Sequence, residues 1–332
     1  MIPSNNHSIQ NPESKDSPFV LVLFGPTGSG KTNILQKLFN SENRIQAEVV
    51  CADSMQVYKG MDIGTAKPSI EEREKLPHHL IDIRSPTQQF NAGDFVRLAD
   101  EACLRIAERG KLPVVSGGTG FYLKNFIMGL SEAPPSDGKI RGQLIRELKE
   151  KGATFLMEEL AVCDPVSKER IHINDEYRLL RALEVYRSSG SPLSSFEVNI
   201  KNKRSRFRFI IIGLSRPREE LYRRINERCA QMFRQGLAEE VLSLFEAGYT
   251  HADPGLRAIG YREFFIETPD GWRLSQDIEG VQALAAQNSR RYAKRQITFF
   301  AGLPDVKWIE CADSDEKTAK LINIMLNEYI KF

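Results

Sequence analysis

The chain has 332 residues, of which 41% are hydrophobic and 27% are charged, and its formal net charge is +2. This composition is that of a soluble globular protein with one large domain or two domains. No apolar run approaches the roughly 20 residues that a membrane-spanning helix needs, so we expect no association with a membrane.

Residues 1–17 are polar and contain no arginine and no apolar stretch. Because a signal or transit peptide needs an apolar or a basic segment, we expect these residues to form a disordered tail. Five cysteines are scattered without C-x-x-C spacing, which favours reduced thiols over a metal site or disulfides. Both features indicate a cytoplasmic protein.

The segment 19–32 begins as an apolar strand and continues as GPTGSGKT. It fits the pattern G-x-x-x-x-G-K-[ST], in which glycines let backbone N–H groups form a concave anion site at the start of a helix. In this pattern Lys31 supplies an ammonium for phosphate oxygens, and the Thr32 hydroxyl can hold Mg²⁺. Taken alone, the loop predicts a bound phosphorylated ligand, by default ATP.

Five apolar, β-branched runs mark predicted strands, and most of them are separated by helical patterns such as residues 94–109. The runs are 19–25, 48–52, 79–83, 112–116 and 207–214. Strands that alternate with helices indicate an α/β fold, with a parallel sheet flanked by helices.

The spacing between the fourth and fifth runs stretches to about ninety residues. Helical patterns within it lie near 121–130, 138–150, 154–162 and 176–188. We expect an α-helical insertion domain over 126–199, and a core domain formed by 18–125 and 200–332. Long helices follow the fifth strand, and then come a weak strand near 305–310 and a final helix.

Two polar residues follow predicted strands of the core. Asp53 comes after the second strand, where it is placed to accept a proton or to bind Mg²⁺, although capping of a helix explains its position equally well. Thr119 lies in a second glycine turn, SGGTG at 116–120, after the fourth strand. The carboxyl ends of parallel strands share one edge of the sheet, so we expect both residues beside the phosphate-binding loop.

Basic residues cluster in two segments, although the net charge is small. Residues 201–208 carry five positive charges, and residues 287–300 carry four, with no acidic residue in either segment. In a helix the second set forms a stripe beside Tyr292 and Phe299. A solvated helix face is the commoner explanation for four charges taken alone.

Seven segments follow one another along the chain, GPTGSGKT, ADSMQVYKGMDIGTAKP, PHHLIDI, GGTGFYLKN, RIHINDEYRLLRALEVY, AIGYREF and AKRQITFF. Together they resemble, in consistent order over residues 18–310, the tRNA dimethylallyltransferase family, also called tRNA isopentenyltransferases. The second is the most specific, because no general argument about phosphate binding requires residues 53–68. A C-terminal Cys/His zinc-finger pattern is lacking, so the chain resembles the bacterial type.

The resemblance implies a P-loop NTPase-like fold and an enzyme that transfers a dimethylallyl group from dimethylallyl diphosphate. The implied acceptor is N6 of the adenosine on the 3′ side of the tRNA anticodon. The phosphate-binding loop would then hold a diphosphate leaving group rather than ATP, and Mg²⁺ is the implied cofactor. Since the target base must leave its stack, the nucleotide would be flipped into a channel. We expect a monomer that binds the anticodon stem-loop.

The resemblance also assigns roles to residues. Asp53 takes the proton from N6, while Thr27 and Lys31 act on the diphosphate. A lid arginine also acts on the diphosphate, with Arg228 as the first candidate and Arg224 as the second. Pairing on a helix surface, for example between Glu220 and Arg224, is the alternative for these arginines. The diphosphate site comprises Gly25, Pro26, Thr27, Gly28, Ser29, Gly30, Lys31 and Thr32, with Thr32 on the metal. The implied tRNA contacts are Asp53, Ser54, Met55, Gln56, Thr119, Arg141, Tyr177, Arg178, Arg181, Arg257, Gly260, Tyr261, Arg262, Lys294, Arg295 and Gln296.

Three other functions are weighed against this one. An adenylate dimethylallyltransferase would use similar chemistry on a free nucleotide, but it needs neither the insertion nor the arginine-rich helices. A P-loop small-molecule kinase would leave residues 53–68 without a purpose. A nucleotide-dependent RNA-binding switch would not turn over RNA.

Overall fold

The computed structural model describes residues 17–40, 44–196, 206–311 and 314–330. Two predictions concern mainly residues outside these ranges. They are the expected tail, of which residues 1–16 are not described, and the first basic segment, of which residues 201–205 are not described. The chain separates into two compact units. Among the described residues, the smaller one contains 128–196, and the larger one contains those of 17–127 and 206–330.

A six-stranded parallel sheet forms the centre of the larger unit, as the alternating pattern predicts. Its strands are β1 (Phe19–Phe24), β2 (Ala47–Cys51), β3 (His78–His79), β4 (Leu112–Gly117), β5 (Arg208–Ser215) and β8 (Lys307–Glu310), in the spatial order β3-β2-β4-β1-β5-β8. Strands β2 and β4 are buried along their whole length, which fits a sheet covered by helices on both faces. A separate antiparallel hairpin, β6 (Phe265–Thr268) with β7 (Gly271–Leu274), was not predicted.

The predicted third strand is wrong beyond residue 79. Leu80 and Asp82 have positive φ angles of 64° and 58°, a conformation that cannot continue a strand. Residues 80–84 instead pair with the loop after β2, since the amides of Asp82 and Ile83 donate to carbonyls of residues 56 and 57.

Helices flank this sheet. They are α1 (Lys31–Leu38), α2 (Ile70–Lys75), α3 (Ala92–Glu108), α4 (Gly120–Met128), α8 (Arg218–Arg234), α9 (Leu237–Glu246), α10 (Ile278–Phe300) and α11 (Asp315–Tyr329), with 3₁₀ turns at Gly255–Arg257 and Arg262–Phe264. Of these elements of the larger unit, α2 and the two 3₁₀ turns have no counterpart among the predictions. Helix α2 is short, and its N-terminus is closed by a capping box between Ser69 and Glu72.

The smaller unit is helical. It contains α5 (Gly138–Cys163), α6 (Pro165–Arg170), α7 (Glu176–Ser189) and a 3₁₀ turn at Leu193–Phe196. Helix α5 is interrupted at Gly152, whose φ and ψ of 81° and 167° are not helical, and this break explains why the sequence predicts two helices there. Leucines from α5 and α7 form its core.

Within the described part of the chain, no helix combines the length and the apolar character needed to cross a membrane.

Candidate active site

The phosphate-binding loop links β1 to α1, and glycines determine its shape. Gly28 and Gly30 have positive φ angles of 85° and 95°, which side-chain-bearing residues rarely adopt. At Gly25 a Cβ atom would lie 2.9 Å from the carbonyl oxygen of Leu214 on β5. The loop is therefore packed directly against the sheet, and only glycine fits at these positions.

Lys31 folds back over this loop. Its Nζ donates to the carbonyl oxygens of Gly25 at 2.8 Å and Pro26 at 3.1 Å. Burial, reinforced by the nearby positive charge of Arg228, lowers the pKa of Lys31 to about 8, while the negative charge of Asp53 acts in the opposite direction. The ammonium is thus poorly compensated and gains interaction energy when an anion enters the loop.

Asp53 lies in a turn just after β2. Its Oδ1 accepts hydrogen bonds from the amides of Met55, at 2.8 Å, and Gln56, at 3.4 Å. Residues 54–56 are not helical, so the alternative that Asp53 caps a helix is wrong. The carboxylate is held by its own turn and lines a cavity of about 280 Å³.

The second glycine turn lies against the same edge of the sheet. A Cβ on Gly117 would be 2.1 Å from the carbonyl oxygen of Ala52, so this turn contacts the residue that precedes Asp53. The Thr119 hydroxyl accepts a hydrogen bond from the amide of Ser54 at 3.0 Å. Thr119 therefore stabilises the turn that carries Asp53.

Gln296 on α10 connects the two glycine turns. Its Oε1 accepts from the amide of Thr27 at 2.8 Å, and its Nε2 donates to the carbonyl oxygen of Gly118 at 2.7 Å. The side chain is 4% exposed, and a Cβ on Gly118 would come within 2.5 Å of it. These contacts give Gln296 a structural function.

Arg228, and not Arg224, reaches the cavity. Thr27, Asp53 and Arg228 all line it, and burial lowers the pKa of Arg228 while Asp53 partly offsets this effect. Arg224 instead donates to the carbonyl oxygen of Gly28 at 2.9 Å and approaches Asp315 at 3.8 Å. The expected pairing of Glu220 with Arg224 is replaced by an ion pair of Glu220 with Arg216 at 2.8 Å.

Part of the cavity wall was not predicted from the sequence. Helix α8 contributes Ile225, Cys229 and Met232, and α10 contributes Ala285, Ser289 and Tyr292. Burial and the charge of Asp53 raise the pKa of Tyr292 to about 12. Both sets follow the spacing i, i+4, i+7, which places residues on one helix face, and this spacing was the available signal.

The expected RNA contacts of the larger unit divide into two groups. Cavity-lining members are Asp53, Ser54, Met55, Arg257, Gly260, Arg262 and Arg295, and Lys294 is exposed on α10. Gln56 and Tyr261 are bonded inside the protein. The Gln56 amide donates to the carbonyls of Thr65 and Ala66 at 3.1 and 3.2 Å, and Tyr261 is completely buried. The prediction that the Tyr261 side chain contacts RNA directly is therefore wrong.

Four further expected RNA contacts lie on helices α5 and α7 of the smaller unit. Arg141 and Arg181 both pair with Glu184, at 3.7 and 3.2 Å, and Glu184 is 1% exposed. Arg141 also lies over the ring of Tyr177, 5.1 Å from its centroid. Arg178 pairs with Asp175 at 3.3 Å. Much of the positive charge of this group is thus balanced within the unit.

The residues present fit a magnesium ion held mainly by a phosphorylated ligand. Thr32 is exposed in the first turn of α1 and offers a hydroxyl oxygen. The described residues contain no group of three or more His, Cys, Asp or Glu side chains arranged to hold a metal. Mg²⁺ commonly binds through one or two protein oxygens together with substrate phosphates and water, so one hydroxyl beside a phosphorylated ligand would be sufficient.

Comparisons with known proteins agree on one family. A model described as IPP transferase matches residues 56–302. The chain is 42% identical to tRNA dimethylallyltransferase 2 of Geotalea daltonii, over 90% of this chain and 89% of that protein. It is 43% identical to tRNA dimethylallyltransferase of Geobacter sulfurreducens, over 88% of this chain and 91% of the relative.

Solved structures extend the match to the fold. The tRNA isopentenylpyrophosphate transferase of Bacillus halodurans superposes with a TM-score of 0.66 at 36% identity, and the match covers 93% of this chain and 96% of that one. A eukaryotic dimethylallyltransferase acting on tRNA gives a TM-score of 0.75 at 27% identity, covering 94% and 80%. The fold is thus the P-loop NTPase-like fold that the sequence predicts.

Proposed function

The chain belongs to the IPP transferase family, and we propose that it transfers the dimethylallyl group of dimethylallyl diphosphate to tRNA. The acceptor is N6 of the adenosine on the 3′ side of the anticodon, and the second product is diphosphate. The observation that carries this proposal is that Thr27, Asp53 and Arg228 line one cavity beside the phosphate-binding loop. It joins an anion site to a carboxylate that can act as a base.

The donor end of the site is cationic. Negative charge accumulates on the diphosphate as the allylic C–O bond breaks, and positioned donors stabilise that charge in the transition state. Lys31, Arg228 and the loop amides supply such donors, and the lowered pKa values of both side chains reflect their desolvation. When bound, Mg²⁺ would be held by Thr32 and the diphosphate, and it would neutralise leaving-group charge.

At the acceptor end, Asp53 removes the N6 proton as the new C–N bond forms. An exocyclic amine is a weak nucleophile until this proton leaves, so a carboxylate in hydrogen-bond reach raises the rate. The Asx turn supports this role, since it fixes the carboxylate through Oδ1. The same negative charge also stabilises positive charge that develops on the allyl group.

RNA binds through the basic residues around the cavity. Arg257, Arg262 and Arg295 line it and are exposed, as phosphate and base contacts require. An adenosine stacked in a loop reaches Asp53 only after flipping out. We also propose that the protein acts in the cytoplasm, as a monomer, with the helical unit as a further RNA-binding surface.

The test is incubation of the full chain with labelled dimethylallyl diphosphate and one acceptor at a time. The acceptors are an unmodified anticodon stem-loop, the same stem-loop with guanosine in place of the target adenosine, AMP and ATP. We expect label only in the first RNA, recovered as N6-(dimethylallyl)adenosine after nuclease digestion. Labelling of AMP without labelling of RNA would contradict the proposal and favour an adenylate dimethylallyltransferase.

A further inference from the structure

Residues 62–66 form a loop beside the cavity that phosphate binding does not explain. Gly64 and Thr65 line the cavity, whereas the backbone amides of Asp62, Ile63 and Gly64 point elsewhere. All three donate to the carboxylate of Glu240 on α9, at 2.9, 2.8 and 3.2 Å. Three consecutive amides that converge on one carboxylate form an anion-binding nest, here filled by the protein itself.

Glu240 is also fixed from its other side. The hydroxyl of Tyr261 donates to Glu240 Oε1 at 2.6 Å, and the Tyr261 ring packs so tightly on Gly64 that a Cβ there would lie 2.4 Å from it. Burial, followed by the charge of Glu240, raises the pKa of Tyr261, so this hydroxyl remains a donor at any physiological pH. The nest, the carboxylate and the tyrosine form one unit.

This unit connects to Asp53 through Gln56. The Gln56 side chain donates to the carbonyl oxygens of Thr65 and Ala66, and its backbone amide donates to Asp53 Oδ1 at 3.4 Å. A continuous path therefore runs from Glu240 to the amide of Gly64, along the chain to Thr65, across a hydrogen bond to the Gln56 side chain, and from the Gln56 amide to Asp53. A shift of the loop 62–66 moves Gln56 and, with it, the turn that orients the carboxylate.

The loop is held against its own conformational preference. Ala66 has a φ angle of 50°, a left-handed conformation that non-glycine residues rarely adopt. Lys67, buried next to it, donates to Tyr58 O, Asp62 Oδ1 and Asp82 Oδ1 at 2.6, 2.6 and 2.5 Å. Strain of this kind persists where surrounding contacts fix the backbone, and such positions cluster at functional sites.

We propose that Glu240 is a positioning residue for the transfer reaction, which sets the loop 62–66 and, through Gln56, the carboxylate of Asp53. This proposal rests on the proposed function, because it assumes that Asp53 acts on the acceptor. Glu240 does not line the cavity, and the phosphate-binding loop is held by contacts that do not involve Glu240. Loss of the Glu240 carboxylate should therefore impair turnover and leave diphosphate binding intact.

The experiment compares Glu240→Ala and Glu240→Gln with wild type and with Glu239→Ala, a change at the exposed neighbour on α9. A displacement of about 1 Å at a reacting group costs on the order of 100-fold, so we expect kcat of Glu240→Ala to fall between about 10- and 100-fold. Dimethylallyl diphosphate binding, measured by equilibrium dialysis, should change less than about twofold. Glutamine keeps one acceptor oxygen and should restore part of kcat.

Hydrogen–deuterium exchange adds a readout that does not depend on activity. The amides of residues 62–64 should exchange faster in Glu240→Ala than in wild type, while those of residues 25–32 should not change. Unchanged kcat in Glu240→Ala, or equal losses of kcat and diphosphate binding, would overturn the positioning role. Inactive wild-type protein that still shows the local exchange effect would contradict the proposed function instead.

Discussion

Arginines in two regions of this molecule look alike in the sequence and differ in the structure. Around the cavity, Arg257 donates to the carbonyl of Ala252 and Arg295 lies over the ring of Tyr292, and neither contact neutralises the charge, whereas Arg262 pairs with Glu263 at 3.0 Å. In the helical unit, Arg141 and Arg181 surround the buried carboxylate of Glu184. Positive charge alone therefore does not identify a binding residue. The balance of charge around it decides whether a substitution acts on the ligand or on the fold.

The strongest test of the cavity is Asp53→Asn. Asparagine keeps an acceptor oxygen for the amide of Met55, so the turn should persist, but it cannot remove a proton. We expect the single-turnover rate to fall about a thousandfold, with binding of dimethylallyl diphosphate and of a stem-loop RNA close to wild type. Asp270→Asn, at an exposed turn of the hairpin, is the control. A rate within tenfold of wild type would exclude Asp53 as the base.

Arg228→Ala comes next and separates two arginines of the same helix. Removing one donor from a charge-stabilising site costs about 100- to 1,000-fold in rate, so we expect a loss in this range. Arg224→Ala is the matched control, because Arg224 faces Gly28 O and Asp315. Its effect should stay below about tenfold. Equal losses of rate in the two variants would contradict the assignment of Arg228, rather than Arg224, to the diphosphate.

The helical unit should respond differently, through stability. Glu184 accepts from Arg181 and from the amide of Asp137 at 3.2 and 2.9 Å, so Glu184→Ala leaves partly buried arginines and a backbone donor without their acceptor. Leaving such donors unpaired costs about 1 to 3 kcal/mol. We expect faster hydrogen exchange in residues 138–189 and unchanged binding of dimethylallyl diphosphate. Glu176→Ala, at an exposed position of α7, should leave exchange unaltered.

The difference between these regions marks what could be predicted from the sequence. The phosphate-binding loop lies within a few consecutive residues, and Asp53 follows a strand end, so both are visible in local patterns. The pairing of Gln296 with Thr27 and Gly118 spans more than 170 residues of sequence. Glu240 likewise acquires its partners through tertiary packing, and so does Glu184 for Arg141 and the amide of Asp137, whereas its pair with Arg181 is a local contact three residues apart on α7. An acidic residue on a predicted helix gives no sign of which amides or arginines outside that helix it will meet.

RNA affinity tests the same contrast between the cavity and the helical unit, with a smaller expected effect. Arg295→Gln should raise the KM for a stem-loop about fivefold and reduce the slope of log affinity against log salt by about one. Arg178→Gln, in the helical unit, should have a smaller effect because Asp175 already balances part of its charge. Arg273→Gln on the hairpin serves as a control for general loss of charge. An equal effect at Arg178 and Arg295 would remove the distinction between the regions.

The smallest expected effect comes from pH and depends on the poorly compensated charge of the cavity. The pKa of Lys31 is lowered to about 8, so the ammonium is present below that pH and is lost above it in the free protein. Diphosphate binding favours the ammonium. The dissociation constant of dimethylallyl diphosphate should therefore rise about fourfold between pH 7 and pH 8.5.

Two variants assign this step to Lys31. Lys31→Arg keeps its charge at every accessible pH, so its dissociation constant should not change over this range. Arg228→Ala removes a positive charge that lowers the Lys31 pKa, and the step should move to higher pH. A step that stays in place in both variants would mean that another group titrates. The cation at the donor end would then be as well balanced as those around Glu184, and the contrast between the two regions would not extend to Lys31.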